Sequence, residues 1–300
     1  MVPVLYIIVP CYNEEAALPL SAERLKNVLS RAVESGLASP ASRIVPVDDG
    51  SRDGTWGVIT SLAKDSVFRG VKLSHNTGHM NALLAGLTCC VDECDCTVTI
   101  DADLQDDPEV ILEFLSAYRD GYDVVLGVRR SRASDTFMKR FTAHAYYRFL
   151  SLLGVETVYD HADYRLLSRR AGKALLSYTE SNLYLRGIVP LIGFKSQKVY
   201  FDRSERVAGE SKYPLGRMVK LALDGITGFS MKPLRAILLV GLAVLLAGIV
   251  MACCGVSFAA SSVWIVGGLV LSCLGLIAEY IGRIYTETKR RPRFIVEEKL

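Results

Sequence analysis

Between Ala236 and Ala278 the chain runs for 43 positions without a charged residue. A single helix of that length would extend roughly 65 Å at 1.5 Å per residue, about twice the hydrocarbon thickness of a bilayer, so the stretch must fold back on itself. The uncharged segment GVSFAASS, Gly255 to Ser262, marks the reversal. Two membrane-spanning helices are therefore expected, at about 234–254 and 263–283. Lys220, Lys232 and Arg235 precede the first, and Arg283, Lys289, Arg290, Arg291 and Arg293 follow the second, whereas the turn carries neither Lys nor Arg. That bias predicts two cytoplasmic ends, with the C-terminus on the same side as the bulk of the chain. The competing reading, a hydrophobic hairpin buried in a soluble protein, is disfavoured because both segments reach full bilayer length. Gly241, Gly267 and Gly268 permit close helix approach, so a homo-oligomer is compatible with the pattern.

Ahead of the hairpin the pattern changes. LYIIVP, RIVPVDD, VKLS and TVTID are short apolar runs, and between them lie helical segments at about 15–35, 55–64 and 79–89. This alternation predicts an α/β domain with a largely parallel sheet. The N-terminal VPVLYIIVP is too short to span a bilayer and has no basic leader, so it reads as a buried strand. GYDVVLGVRR reads as a further strand, Phe137 to Leu153 as an amphipathic helix, and Tyr213 to Pro233 as an amphipathic segment suited either to the membrane interface or to packing on the α/β domain. A net charge of +3 gives no reason to expect a nucleic-acid partner, although Arg129, Arg130, Arg132, Lys139 and Arg140 cluster where an anionic lipid or phosphate would be welcome. The eight cysteines imply reduced thiols; the spacing of Cys89, Cys90, Cys94 and Cys96 matches no usual zinc knuckle.

Ligands of parallel sheets collect beyond the carboxyl ends of the strands. There the sequence offers PCYNEE, DDGSRDGT, HNTGHMNA and DADLQDDPE in succession. Asp101 and Asp103 lie two apart at a strand end, so on an extended backbone both carboxylates project to one side. Hard oxygen ligands without Cys or His suit Mg²⁺ or Mn²⁺, and Gln105 can add a neutral oxygen. Asp106, Asp107 and Glu109 have the plainer expectation of capping and charging the helix that begins at Val110. Asp48 suits a base N–H or a ribose hydroxyl, Tyr12 a stacked base and Glu14 a ribose hydroxyl. The Lys-bearing phosphate loop G-x4-G-K-[ST] is absent, so a nucleoside diphosphate would be held through its metal. His75, His79, His144 and His161 share no metal spacing and read as polar loop or helix-start residues.

Taken together, PCYNEE, VDDGSRDGT, NTGHMNAL, DADLQDDPE, RVAGESKYP at 206–214 and EYIGRIYTETKRRP at 279–292 resemble family 2 glycosyltransferases, specifically those that act on polyprenyl phosphates. The resemblance covers nearly the whole chain. It implies a GT-A (Rossmann-like) catalytic domain over 1–212, a juxtamembrane segment over 213–233, the two spans within 234–283 and a basic cytoplasmic tail over 284–300. It further implies that Pro10, Tyr12, Glu14, Asp48 and Asp101 hold the nucleotide sugar, UDP- or GDP-linked, and that Asp101, Asp103 and Gln105 grip metal and diphosphate. Arg129, Arg206, Ser211 and Lys212 would bind the phosphate of the lipid acceptor or the donor diphosphate, with Asp103, Arg129, Arg206 and Lys212 counted as catalytic. Lys139 and Arg140 match nothing firmly, and Asp160 and Asp163 stand between a sugar contact and salt bridges to Arg165 or Arg169. The implied reaction is inverting transfer of a sugar, glucose as the first expectation, to undecaprenyl or dolichyl phosphate. Two other readings remain: a processive polysaccharide synthase, whose Q-x-x-R-W motif precedes neither Trp56 nor Trp264, and a non-catalytic nucleotide-sensing or lipid-flipping membrane subunit.

Overall fold

All seven residues of strand β1, Leu5–Cys11, are buried, which places it at the centre of the sheet. Its alternate side chains serve two layers. Leu5, Ile7, Val9 and Cys11 join one core with Leu18, Leu25 and Leu29 of helix α1 (Leu18–Glu34) and Phe114 of helix α4 (Val110–Arg119). Ile8 lies against helix α3 (His79–Cys90), so closely that a Cβ on Gly86 would sit 2.5 Å from its Cγ2. In the computed structural model the described residues are 2–129, 161–180, 185–202 and 259–300.

Strands β2 (Arg43–Asp48), β3 (Val71–Leu73) and β4 (Cys96–Thr99) run parallel to β1, with helix α2 (Thr55–Leu62) between β2 and β3. The expected βαβ rhythm is therefore the observed one. Beyond β4 the pattern breaks, because β6 (His161–Ser168) inserts antiparallel between β4 and β5 (Val124–Arg129). Helices α5 (Arg169–Ser177) and α6 (Leu185–Leu191) precede β7 (Ser196–Phe201), which pairs parallel with β5. The final strand, β8 (Val296–Lys299), closes the other edge antiparallel to β3, and the eight-stranded order is β7-β5-β6-β4-β1-β2-β3-β8.

The end of the chain thus does more than the basic tail expected of it. Leu300 N–H donates to the Gly70 carbonyl at 2.9 Å, and Lys72 pairs with Glu297 across the edge at 3.2 Å. A charged strand over β3 protects an edge that would otherwise offer unpaired backbone groups.

Residues 2–129, 161–180, 185–202 and 292–300 form one compact unit, and residues 259–291 belong to a second. Helix α7 (Ala259–Lys289), 31 residues long, occupies the second and contains the segment 263–283. The expected partner segment at 234–254 lies outside the described residues, as do the amphipathic segments at 137–153 and 213–233. Among the described residues no helix is long and apolar enough to cross a membrane, many side chains of α7 being outside the description.

The cysteine cluster packs as small hydrophobic residues. Cys90, Cys94 and Cys96 are buried, and the Cys94 thiol donates to the Cys90 carbonyl at 3.2 Å. Burial pushes the Cys94 thiol up to about 12 and raises those of Cys90 and Cys96.

Candidate active site

Three of the polar strand ends are stitched into one rim by their own backbone and side chains. Asp49 N–H donates to the Cys11 carbonyl at 2.9 Å, and Asn13, held at a φ of 54°, donates its N–H to Ser51 Oγ at 3.0 Å. The Asn13 amide oxygen accepts from Arg52 N–H at 2.9 Å, and Glu14 N–H donates to Thr55 Oγ1 at 2.9 Å. The loop after β1 is thereby fixed to the loop after β2. Asp49 then reaches the loop after β3: one carboxylate oxygen accepts from the N–H and hydroxyl of Thr77 at 2.7 and 3.0 Å, the other from Gly78 N–H at 2.9 Å. Burial raises the Asp49 carboxyl, and the Thr77 and Gly78 bonds oppose that shift. Asp49 therefore organises the rim, a role its place in DDGS does not announce.

Gly50 is required at this junction. Its φ is +64°, and an added Cβ would lie 2.5 Å from the His75 carbonyl carbon. Gly50→Ala is expected to destabilise the protein by about 2–4 kcal/mol, from left-handed strain plus backbone displacement. Urea unfolding of the variant checks this, and a loss below about 0.5 kcal/mol would show that the two loops separate freely.

On this rim the sequence-predicted nucleoside contacts fall as follows. Pro10 is inside β1, paired with Val47, and Tyr12 is 41% exposed at the strand end. Glu14 is half-buried beside the Thr55 hydroxyl. Asp48 is buried; one carboxylate oxygen accepts from Ser51 N–H at 3.1 Å, and the other has no hydrogen-bond partner among the described residues.

The fourth strand end carries the acids. Ile100 N–H still donates to the Ile8 carbonyl at 3.1 Å, but the chain then turns, with Leu104 N–H reaching the Asp101 carbonyl at 3.3 Å and Leu104 at a φ of 44°. The extended backbone assumed for Asp101 and Asp103 is thus replaced by a turn, because the sheet ladder ends before Asp101. Asp103 Oδ1 accepts from Gln105 N–H at 3.2 Å, and the rest of Gln105 is buried.

The turn still gathers charge. His79, the first residue of α3, places Nε2 3.4 Å from Asp101 Oδ1 and 4.0 Å from Asp163 Oδ2. Asp163 is buried on β6 and paired with Arg165, and its carbonyl accepts from Thr99 Oγ1 at 2.6 Å. Desolvation raises the Asp101 carboxyl, with Asp163 and Asp103 adding to the rise and His79 and Arg129 opposing it. The Asp101 side chain is 38% exposed, with two other carboxylates, an imidazole and a guanidinium acting on it. Among the described residues no three acidic, His or Cys groups form a closed metal cage. Two carboxylates in a crowded anionic turn nevertheless fit Mg²⁺ or Mn²⁺, since such ions take one or two protein carboxylates and complete their shell with phosphate and water.

Asp106 is not the helix cap it was expected to be. It is 2% exposed and grips the guanidinium of Arg129, the last residue of β5, with Nε to Oδ1 at 3.0 Å and Nη2 to Oδ2 at 3.1 Å. Glu109 stands at the N-cap position of α4 without a side-chain cap bond and pairs instead with Arg31; only Asp107 shapes the entry, accepting from Glu109 N–H at 3.1 Å. Opposite charges from segments far apart in sequence thus override the local capping pattern.

The structure brings together Asp101, Asp103, His79, Asp163 and Arg165, with Asp106 and Arg129 at the adjoining strand end. Arg206, Ser211, Lys212, Lys139, Arg140 and Asp160 lie outside the described residues. His79 was signalled only by its place directly after the glycine that opens α3. A cavity of about 900 Å³ is lined by Val2, Pro3, Asp95, Tyr122 and Asp123, at the opposite edge of the parallel strands, and none of these site residues lines it.

Residues 6–176 match the family described as glycosyl transferase family 2. The chain is 44% identical to an uncharacterized glycosyltransferase, YkoT, of Bacillus subtilis (strain 168), over 98% of this chain and 91% of that one. It is 34% identical to the bactoprenol glucosyl transferase of Shigella phage SfX over 98% of both chains, and 33% identical to a prophage bactoprenol glucosyl transferase homolog of Escherichia coli (strain K12) over 97% of both. A solved mannosyltransferase from Pyrobaculum calidifontis, in complex with GDP-Man and Mn²⁺, shares the fold with a TM-score of 0.50 and 18% identity, over 97% of this chain and 84% of that one.

Proposed function

Because the chain belongs to glycosyl transferase family 2, we propose that it moves a sugar from a nucleotide sugar to a polyprenyl phosphate, with inversion, at the cytoplasmic face of a membrane. The observation that carries this reading is end-to-end similarity to bactoprenol glucosyl transferases, which extends well past the family match into the apolar C-terminal part. Because those relatives are glucosyl transferases, a nucleotide-linked glucose is the first donor to try, beginning with UDP-glucose.

Helix α7 supports a membrane setting. Val266, Val270, Leu274, Ile277, Ile281 and Ile284 recur every three or four residues and are 41–64% exposed. They form one stripe roughly 27 Å long at 1.5 Å per residue, close to the thickness of a bilayer's hydrocarbon core. In this proposal the segments 234–254 and 263–283 span, and both long ends stay cytoplasmic.

In the same proposal Tyr12 stacks on the base, the unpartnered oxygen of Asp48 accepts a base N–H, and Glu14 accepts from ribose. Asp101 and Asp103, with Gln105 beside them, would hold Mg²⁺ or Mn²⁺, and the ion would supply positive charge to the departing nucleoside diphosphate. Arg129, Arg206, Ser211 and Lys212 receive the acceptor phosphate and relieve its repulsion from the diphosphate. A polyprenyl phosphate is already an anion at neutral pH, so alignment, not a strong general base, is what the protein must supply. In-line attack gives a β-linked product from an α-linked donor.

The purified full chain in detergent, given labelled UDP-glucose and undecaprenyl phosphate, should form an organic-extractable sugar lipid. EDTA should reduce the rate at least 100-fold, and Mg²⁺ or Mn²⁺ should restore it. Undiminished turnover in EDTA would remove the metal from the mechanism, and failure to label the lipid with any of a panel of nucleotide sugars would remove the acceptor.

A further inference from the structure

The pair between Asp106 and Arg129 joins two parts of the site that the sequence keeps separate. Asp106 comes from the loop after β4, which also carries Asp101 and Asp103, whereas Arg129 ends β5 with its backbone in register with Phe201 of β7. The pair is two-pronged, with Nη2 also 2.9 Å from Oδ1, and a fork of this kind fixes the plane of a guanidinium as well as its place. A guanidinium has five N–H donors, and Asp106 occupies the Nε and Nη2 edge. Among the described residues the Nη1 edge is the part left to meet a phosphate, and the Arg129 side chain is 20% exposed.

We infer that Asp106 is a positioning residue for the acceptor: it holds Arg129 so that the Nη1 edge meets the lipid phosphate, and it ties that cation to the loop carrying the metal-binding acids. A full charge would be wasted if the guanidinium swung between the acceptor phosphate and the donor diphosphate. Clamped from a buried carboxylate, it presents donors in one direction and with part of its charge already balanced. The inference rests on the proposed polyprenyl-phosphate reading and deepens it.

The test uses the full chain in detergent and compares wild type, Asp106→Asn, Asp106→Glu, Arg129→Ala and the double variant Asp106→Asn/Arg129→Ala. Acceptor KM, donor KM and kcat are measured with undecaprenyl phosphate and UDP-glucose below each variant's melting temperature. Asp106→Asn should raise acceptor KM about tenfold with donor KM changed less than threefold, and Asp106→Glu should recover part of the loss. The double variant should be no worse in acceptor KM than Arg129→Ala alone, because a residue acting through another adds nothing once that other is gone. Losses that multiply in the double variant, or an equal rise in donor KM, would overturn the inference while leaving the reaction intact. A wild type that labels no lipid would overturn the reading and the inference with it.

Discussion

Asp103→Asn is expected to lower sugar transfer roughly 10²–10³-fold, about 3–4 kcal/mol of lost transition-state stabilisation, with little change in melting temperature. The substitution keeps size and an acceptor for the Gln105 N–H but removes one of two carboxylates in the turn after β4. If these acids hold a divalent ion, the ion loses half its protein charge and the leaving diphosphate loses its counter-charge as the bond breaks. Asp107→Ala is the control from the same loop. Asp107 spends its carboxylate on Glu109 N–H at the entry to α4, a local bond whose loss costs about 1 kcal/mol and leaves turnover near wild type. Initial rates and thermal melts on both variants separate the two roles. Equal losses of activity would mean that the shape of the loop, not the charge of Asp103, is what the reaction needs.

How much of this was legible in the sequence depends on how far apart the partners are. β1 and β4 lie buried near the middle of the sheet, so they read directly as apolar runs, and the polar loops at their ends followed from parallel-sheet geometry. Asp101 and Asp103 were singled out by their position at a strand end, and the structure replaces the extended strand assumed for them with a turn. β6 was not visible, because HADYRLLS buries an Asp and an Arg and so hides the alternation expected of a strand. Its charges make sense only once the antiparallel insertion sets them beside β4 and His79. Asp106 was misread for the same reason: a capping pattern is local, and its true partner stands 23 residues away. β8 is short, charged and at an edge, which protects the sheet and removes the hydrophobic signal together.

Arg165→Met tests the buried half of this arrangement and should have the largest effect on stability. Arg165 is 1% exposed in the middle of β6, where it balances Asp163, itself buried and facing His79 with Asp101 close by. Methionine fills much of the same volume, so the cost falls on taking a buried charge away from its carboxylate partner, about 3–5 kcal/mol. At roughly 2–4 °C per kcal/mol for a domain of this size, the melting temperature should drop by about 6–20 °C. Replacing both partners, Arg165→Met with Asp163→Leu, removes the buried carboxylate together with the guanidinium and should recover more than half of the loss. A double variant no more stable than Arg165→Met would place the cost in packing instead of charge. A double variant that regains stability but transfers no sugar would mean that the pair is kept for the reaction, since its removal would then cost turnover and not folding.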